Sequence, residues 1–259
     1  PADTQIHAFS TPSLRSITAT AFGSLSETQL GALTTAQVSS LGTAQLTALN
    51  STKFAAFTEA QIEALTTTLV AGISNTNLTA LGDTQLASLT ATQVAALTIG
   101  QVGALTTDNV AALTETQIGA LTTAQVKALS STNLSALEAT QAAALTTTQI
   151  AQLTTTQAGA LTATDITELS AEQMGAFTST LLARLGTEAV VALDANQIAE
   201  FNSTQVQSLT TTQLAALEAS DVAEFNETQI AVLSATQVRA LTATAVAALA
   251  ETQLAALTT

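Results

Sequence analysis

An all-α solenoid of very short helices, one per eight residues, is the fold class this sequence predicts, and three observations predict it. Apolar residues recur with a period of eight from one end of the 259-residue chain to the other. A helix-capping residue follows the first apolar residue of each unit, with Gln three places further on. The Phe residues that occupy that first apolar place are separated by multiples of 24.

The unit is Leu-Thr-x-Thr-Gln-Val-x-Ala, and Leu89-Thr90-Ala91-Thr92-Gln93-Val94-Ala95-Ala96 is a near-consensus copy. Leu is numbered position 1, Thr position 2, Gln position 5, the Val-type residue position 6 and the small residue position 8. Steps of eight from Phe9 through Ile17, Leu25 and Leu33 to Leu257 meet Leu, Ile or Phe every time. Steps of eight from Ile6 through Leu14, Phe22 and Leu30 to Leu254 are apolar throughout, and small only at Ala142 and Ala158. A fixed short period means that each unit buries its apolar face against its neighbours alone.

Neither a strand nor one long helix fits this period. Apolar positions 1 and 6 are an odd number of residues apart, so they fall on opposite faces of a strand. In a continuous α-helix eight residues overshoot two turns by about 80°, and the apolar stripe would spiral around the helix.

Position 2 resolves the local structure. Its occupants include Ser10, Thr18, Ser26, Thr34, Gly42, Asn50, Gly186, Asp194, Asn202 and Asn226, the residue types that start helices. Glu138, Glu218 and Ala250 break the pattern. Gln37, Gln45, Gln61, Gln85, Gln93 and Gln101 stand three residues after their caps. That spacing is a capping box: the cap hydroxyl accepts a backbone N–H while Gln reaches back to the N–H of the cap. Positions 1 and 6 then form the hydrophobic staple across the helix start. Each octapeptide is expected to be a helix of about one and a half turns, re-capped by the next Thr. A helix this short melts alone, so stacking must hold it. Position 8 is expected to be small because the chain bends there. Gln is expected to cap; a ladder of Gln on Gln along the stack is the other reading.

Phe9, Phe57, Phe177, Phe201 and Phe225 share position 1 and one phase of 24, which predicts three helices per coil and a triangular rod. Two helices per coil is the alternative. At the usual helix spacing the rod would be on the order of 100 Å long. The whole chain, residues 1–259, is read as one continuous solenoid without evident caps. Both ends repeat the unit as regularly as the middle, and the chain starts at Pro1. We therefore expect a window on a longer protein, or copies stacked head to tail.

Composition excludes several functions. Five Lys and Arg against 19 Asp and Glu give a net charge of −14. Arg15, Lys53, Lys127, Arg184 and Arg239 are too dispersed for a basic patch, so no nucleic-acid partner is expected. Anionic membranes repel such a chain, and no apolar run spans a bilayer. Cysteine is absent, which removes disulfides and thiolate metal sites.

The residues that could carry chemistry favour structure instead. His7 is the single histidine and nothing pairs with it in sequence, so it reads as solvated. Ser and Thr are committed to caps, which leaves no nucleophilic triad. Glu59/Glu63, Glu168/Glu172 and Glu224/Glu227 could bridge a cation or act as acid and base, but solvated helix faces explain them better. Met174 and the Phe residues read as core. No catalytic, cofactor-binding or metal-binding residue is expected, and no cofactor. Rows of Thr are a third possibility, an ice-binding face, although position 2 Thr is occupied in capping.

The Leu-Thr-x-x-Gln-(Val/Ile)-x-Ala unit resembles the Thr/Ala/Leu/Gln-rich octapeptide tracts of large bacterial surface and secreted repeat proteins, over the whole chain. The resemblance implies a stalk, spacer or fibre subunit outside the cell, with no catalytic residues to carry over. The function expected is a non-enzymatic rigid rod, either a filament subunit that stacks on itself head to tail or the stalk of a surface protein. The alternative is a binding or adhesion scaffold for other surface proteins or glycans. Its marker would be the bulky residues that enter position 8 at Gln152, Glu168, Arg184, Glu200, Glu224 and Val232.

Overall fold

The computed structural model describes residues 3–257. It is a succession of short helices, numbered α1 (Asp3–Ile6) to α32 (Glu251–Ala256), with no strand among the described residues. The chain divides into two compact units, residues 1–129 and 130–259. Each is a solenoid with the same internal rule.

That rule is that helix n packs against helix n+3. In the first unit α3 (Ala19–Gly23) packs on α6 (Thr43–Thr47), and α12 (Ala91–Ala95) packs on α15 (Glu115–Ala120). In the second, α22 (Ala171–Gly175) packs on α25 (Ala195–Ala199), and α28 (Ala219–Ala223) on α31 (Ala243–Ala247). Three helices therefore make one 24-residue coil, as the Phe spacing predicts, and a two-helix coil is excluded.

Helix α12 shows why eight residues suffice for a helix and a corner. Thr90 is extended at φ −68°, ψ 156°, and its hydroxyl accepts the N–H of Gln93 at 3.2 Å. The Gln93 side-chain oxygen accepts the Thr90 N–H at 2.7 Å, which completes the capping box. Five helical residues follow, and Ala96 closes the helix while still right-handed at φ −87°, ψ −9°. The chain then turns extended at position 1, as at Leu121 with φ −57°, ψ 134°. Where the cap residue has no suitable oxygen, the Gln half of the box remains. The N–H groups of Gly42, Glu138 and Ala250 donate to Gln45, Gln141 and Gln253 at 2.9, 2.9 and 2.7 Å.

No described residue has a positive φ, so the corner asks for no glycine. The approach of successive coils constrains position 7 instead. A Cβ added to Gly23 at position 7 would lie 2.9 Å from the carbonyl oxygen and 3.3 Å from the Cβ of Ala48, at position 8 one coil on. Added to Gly175 it would lie 3.0 Å from the Cβ of Glu200, and added to Gly159, 3.3 Å from the carbonyl oxygen of Arg184. Two of the bulky position-8 residues thus sit opposite a glycine of the coil before.

Positions 1 and 6 fill the interior. Leu14, Val94, Ile118 and Met174 at position 6 are fully buried, and so, nearly, are Leu89 and Phe177 at position 1. Phe54 and Phe57 meet edge to face at 5.5 Å and 82° across one corner. Phe9 departs from the expected core placement. It is 44 % exposed, because no coil covers its side of α1 and α2 (Thr11–Arg15).

Candidate functional site

The most built element of the molecule is a polar junction that recurs at position 5. Gln is 2–7 % exposed at most of these positions, a placement that an uncharged amide tolerates only when its hydrogen bonds are made. Its oxygen is used within its own helix, as above. Its nitrogen is used across the coils. Gln93 Nε2 donates to the carbonyls of Ile62, Glu63 and Leu65 at 3.0, 3.0 and 2.7 Å. Those residues end α8 (Glu59–Glu63) and form the corner after it. The same bonds run from Gln45 to Leu14 and Ile17, both at 2.9 Å, and from Gln229 to Ile198 and Phe201 at 2.7 and 2.9 Å.

One amide thus starts one helix and finishes another a coil away. The last carbonyls of a helix lack partners inside it, and here the Gln nitrogen supplies them. This is neither the Gln-on-Gln ladder nor capping alone. The sequence reading missed it because the acceptors lie 28–31 residues away. A signal was present all the same: a capping box accepts Gln or Glu equally, yet position 5 never holds Glu. Carbonyls demand a donor, and a carboxylate has none.

The exceptions follow the same logic. Asn77 Nδ2 donates to the Leu49 carbonyl at 3.0 Å without closing a capping box, whereas Asn109 caps Thr106 and reaches only the Thr79 carbonyl, at 3.4 Å. Lys53 Nζ donates to the Gly23 carbonyl at 2.5 Å and replaces the amide with an ammonium. Leu69, Leu181, Ala189 and Ala245 fill the place with buried apolar atoms. Asp165 and Asp221 retain only the capping half. Their carboxylates accept the N–H of Thr162 at 2.7 Å and of Glu218 at 2.8 Å.

The structure does not join the residues singled out in sequence into a reactive site. His7 is exposed, as are Arg15, Lys127, Arg184 and Arg239. Glu59 and Glu63 are exposed on their helix. Glu168 is influenced by Asp165 and Glu138, not by Glu172. Burial comes first, then those two charges, and together they push its carboxyl above the usual range. Glu224 is raised in the same way, by burial and then by Asp221 and Asp194. Glu227 is lowered, chiefly by its own backbone N–H and then by the hydroxyl of Thr252. The Glu168/Glu172 and Glu224/Glu227 pairings therefore give way to clusters built from position 5, position 8 and the neighbouring helices.

Among the described residues no group of three or more His, Cys, Asp or Glu side chains could hold a metal ion. Among the described residues no helix is long and apolar enough to cross a membrane. A cavity of about 20 Å³, room for one water, lies between Leu134, Leu137, Ala142, Asp165 and Glu168. Ala142 stands there at position 6, where all other coils but the one with Ala158 place a larger apolar residue.

These features define a short-helix repeat protein with an octapeptide unit. Residues 110–147 and 118–155 match the ALTTAQ repeat. The hexapeptide itself stands at residues 120–125, within the match, and again at residues 32–37, outside it. No curated protein matches the chain.

Proposed function

We propose that the chain is a non-catalytic structural element, a stiff spacer that serves as a filament subunit or as the stalk of a protein outside the cell. The observation that carries this reading is the junction at position 5. The amides of position 5 are mostly buried and are spent on joining coil to coil. The residues facing solvent are mostly small and uncharged, a surface that suits spacing better than recognition.

Self-association is the interaction this reading favours. Ile6, Phe9, Leu14, Ile17 and Leu25 line an apolar groove of about 200 Å³ on the first coil. A further coil of the same repeat, from the same polypeptide or from a second copy, has the matching face. Small-angle scattering and electron microscopy across a concentration series test the proposal. An elongated particle that lengthens with concentration supports the filament. An elongated particle of constant length supports the spacer, and a compact globule overturns both.

The second reading, a binding scaffold, is favoured by one observation: Gln152, Arg184, Glu200 and Glu224 at position 8 are exposed on the solenoid. Replacing them with Ala would abolish capture of a partner if they form its contact face.

A further inference from the structure

Position 5 joins a coil to the one before it along most of the chain, but it fails at three of the four copies between residues 165 and 189. Asp165 spends its carboxylate on Thr162, accepting from the N–H at 2.7 Å and from the hydroxyl at 3.0 Å. Leu181 and Ala189 have no polar side-chain atom to offer. Only Gln173 keeps the junction, with Nε2 donating to the carbonyls of Ala142 and Leu145 at 2.8 and 2.7 Å. The register fixes which carbonyls go without an amide. They stand 28 residues earlier, at Leu137, Leu153 and Leu161. From Gln29 onward the other copies without a donor, Leu69, Asp221 and Ala245, each stand between two that hold an amide.

The interior is thinnest over the same stretch. α17 (Ser131–Ser135) packs on α20 (Thr155–Ala160), and α18 (Ala139–Ala143) packs on α21 (Ala163–Glu168). Ala142 and Ala158 both lie in this stack, at the position where every other copy carries a larger apolar residue. The water-sized cavity lies there too, lined by Leu134, Leu137, Ala142, Leu153, Leu161 and Asp165. The interior is also least sealed there. From Leu14 to Ile230, position 6 is 0–1 % exposed except at Leu134 and Ala142, which are 5 % and 6 % exposed. The hydroxyls of Ser131 and Ser135 donate across the stack to the carbonyls of Thr156 and Ala160, but both bonds are 3.4 Å long and exposed. Exposed bonds of that length exchange with water at little cost.

We infer that residues 131–161 are the part of the second unit that unfolds first, by losing their hold on residues 163–191 while the helices from α25 onward stay folded. Two weaknesses combine at one stack. The missing amides leave helix-end carbonyls without the partners that tie one coil to the next elsewhere. The two alanines remove buried apolar contact from the same place. Gln173 is then the one position-5 amide that must give way. Opening of this kind leaves the junctions at Gln197, Gln205 and Gln213 intact, as a local rather than a global event. It follows from packing alone, so it belongs equally to a spacer and to a scaffold.

Native-state amide hydrogen exchange of the whole chain tests this on position-6 amides that make the same bond to the carbonyl of their own cap. Ala142, Ile150 and Ala158 make it at 2.8, 3.0 and 2.9 Å, and Ile198, Val206 and Leu214 at 2.9, 3.0 and 3.0 Å. After correction for intrinsic rates, the first three should be protected about tenfold less than the second three. Leu181→Gln/Ala189→Gln restores two donors in the residue type the repeat prefers, and should raise protection at Ala142, Ile150 and Ala158 by about tenfold while leaving Val206 and Leu214 unchanged. Gln173→Leu, a residue position 5 already holds at Leu69 and Leu181, should lower protection at the first three amides and spare Val206 and Leu214. Equal or greater protection at Ala142, Ile150 and Ala158 in the natural chain overturns the inference. So does a folded Leu181→Gln/Ala189→Gln chain in which the difference persists unchanged, or a Gln173→Leu chain in which all six amides lose protection alike.

Discussion

A single amide at position 5 meets the needs of two helix ends, and substitutions there should discriminate sharply between donors and acceptors. Gln93→Leu removes the donor and acceptor but keeps apolar volume, as Leu69 already does naturally. Its expected cost is about 2 kcal/mol, the loss of a few buried hydrogen bonds. Gln93→Glu keeps the capping oxygen and sets a charge against three carbonyls in a buried place. It should cost about 3 kcal/mol or more at neutral pH and recover as the solution is acidified. Urea unfolding of both variants checks the order, and a Glu variant as stable as the Leu variant at neutral pH contradicts it. The cap itself is a smaller matter: Thr90→Ala should cost about 1 kcal/mol, since Gln93 still serves the N–H of residue 90. The capping half of this chemistry is legible from neighbours three residues apart. The donor half is not, because Ile62 and Leu65 reach Gln93 only when the coils stack.

At the scale of the element, each helix is too short to persist alone, and its lifetime depends on how closely the next coil approaches. Gly23 and Gly31 occupy the same position in α3 and α4 (Glu27–Gly31) yet should respond oppositely to Ala. At Gly23 the new methyl meets the backbone oxygen of Ala48 at 2.9 Å, which cannot move cheaply, so the variant should lose stability. At Gly31 the nearest atom is 3.4 Å away, an ordinary contact. There the helix gains by losing a glycine, by up to about 1 kcal/mol. Melting temperatures of the two variants settle the comparison. The period of eight predicts where helices begin and end in both cases. It says nothing of which glycine touches a carbonyl, because that depends on which coil lies against it.

Across the whole molecule, excess acidic charge and the raised carboxyls at Glu168 and Glu224 set the pH response. Their pKa values lie above the ordinary 4.5 in the folded chain, so folding favours the proton. Stability should rise as pH falls through those raised values and should gain nothing more from these groups below about 4.5. Glu227 works in the opposite sense, since its lowered pKa stabilises at neutral pH and is lost on acidification. It is fully exposed and hydrogen-bonded to Thr252, so Glu168 and Glu224, each also pressed by two neighbouring carboxylates, should dominate. A pH series of thermal unfolding checks this, with Glu168→Gln/Glu224→Gln expected to flatten the curve. A curve that falls steadily from neutral pH downward would show that acid-labile contacts dominate instead.

The sequence by itself determined the local structure of this protein. Helix starts, helix length, the apolar interior and even three helices per coil follow from positions 1, 2, 5 and 6, because capping and stapling act over four or five residues and the Phe phase repeats every 24. Only the tertiary structure decided what the coils do to one another. Stacking places Gln93 on the carbonyls of Ile62 and Leu65, Gly23 against Ala48, and Glu168 beside Glu138. The physical reason is the repeat itself. Copies that look alike in sequence are interchangeable as partners, so pairing is settled by the geometry of a 24-residue coil, and the demand for a donor at position 5 arises only once that coil has closed.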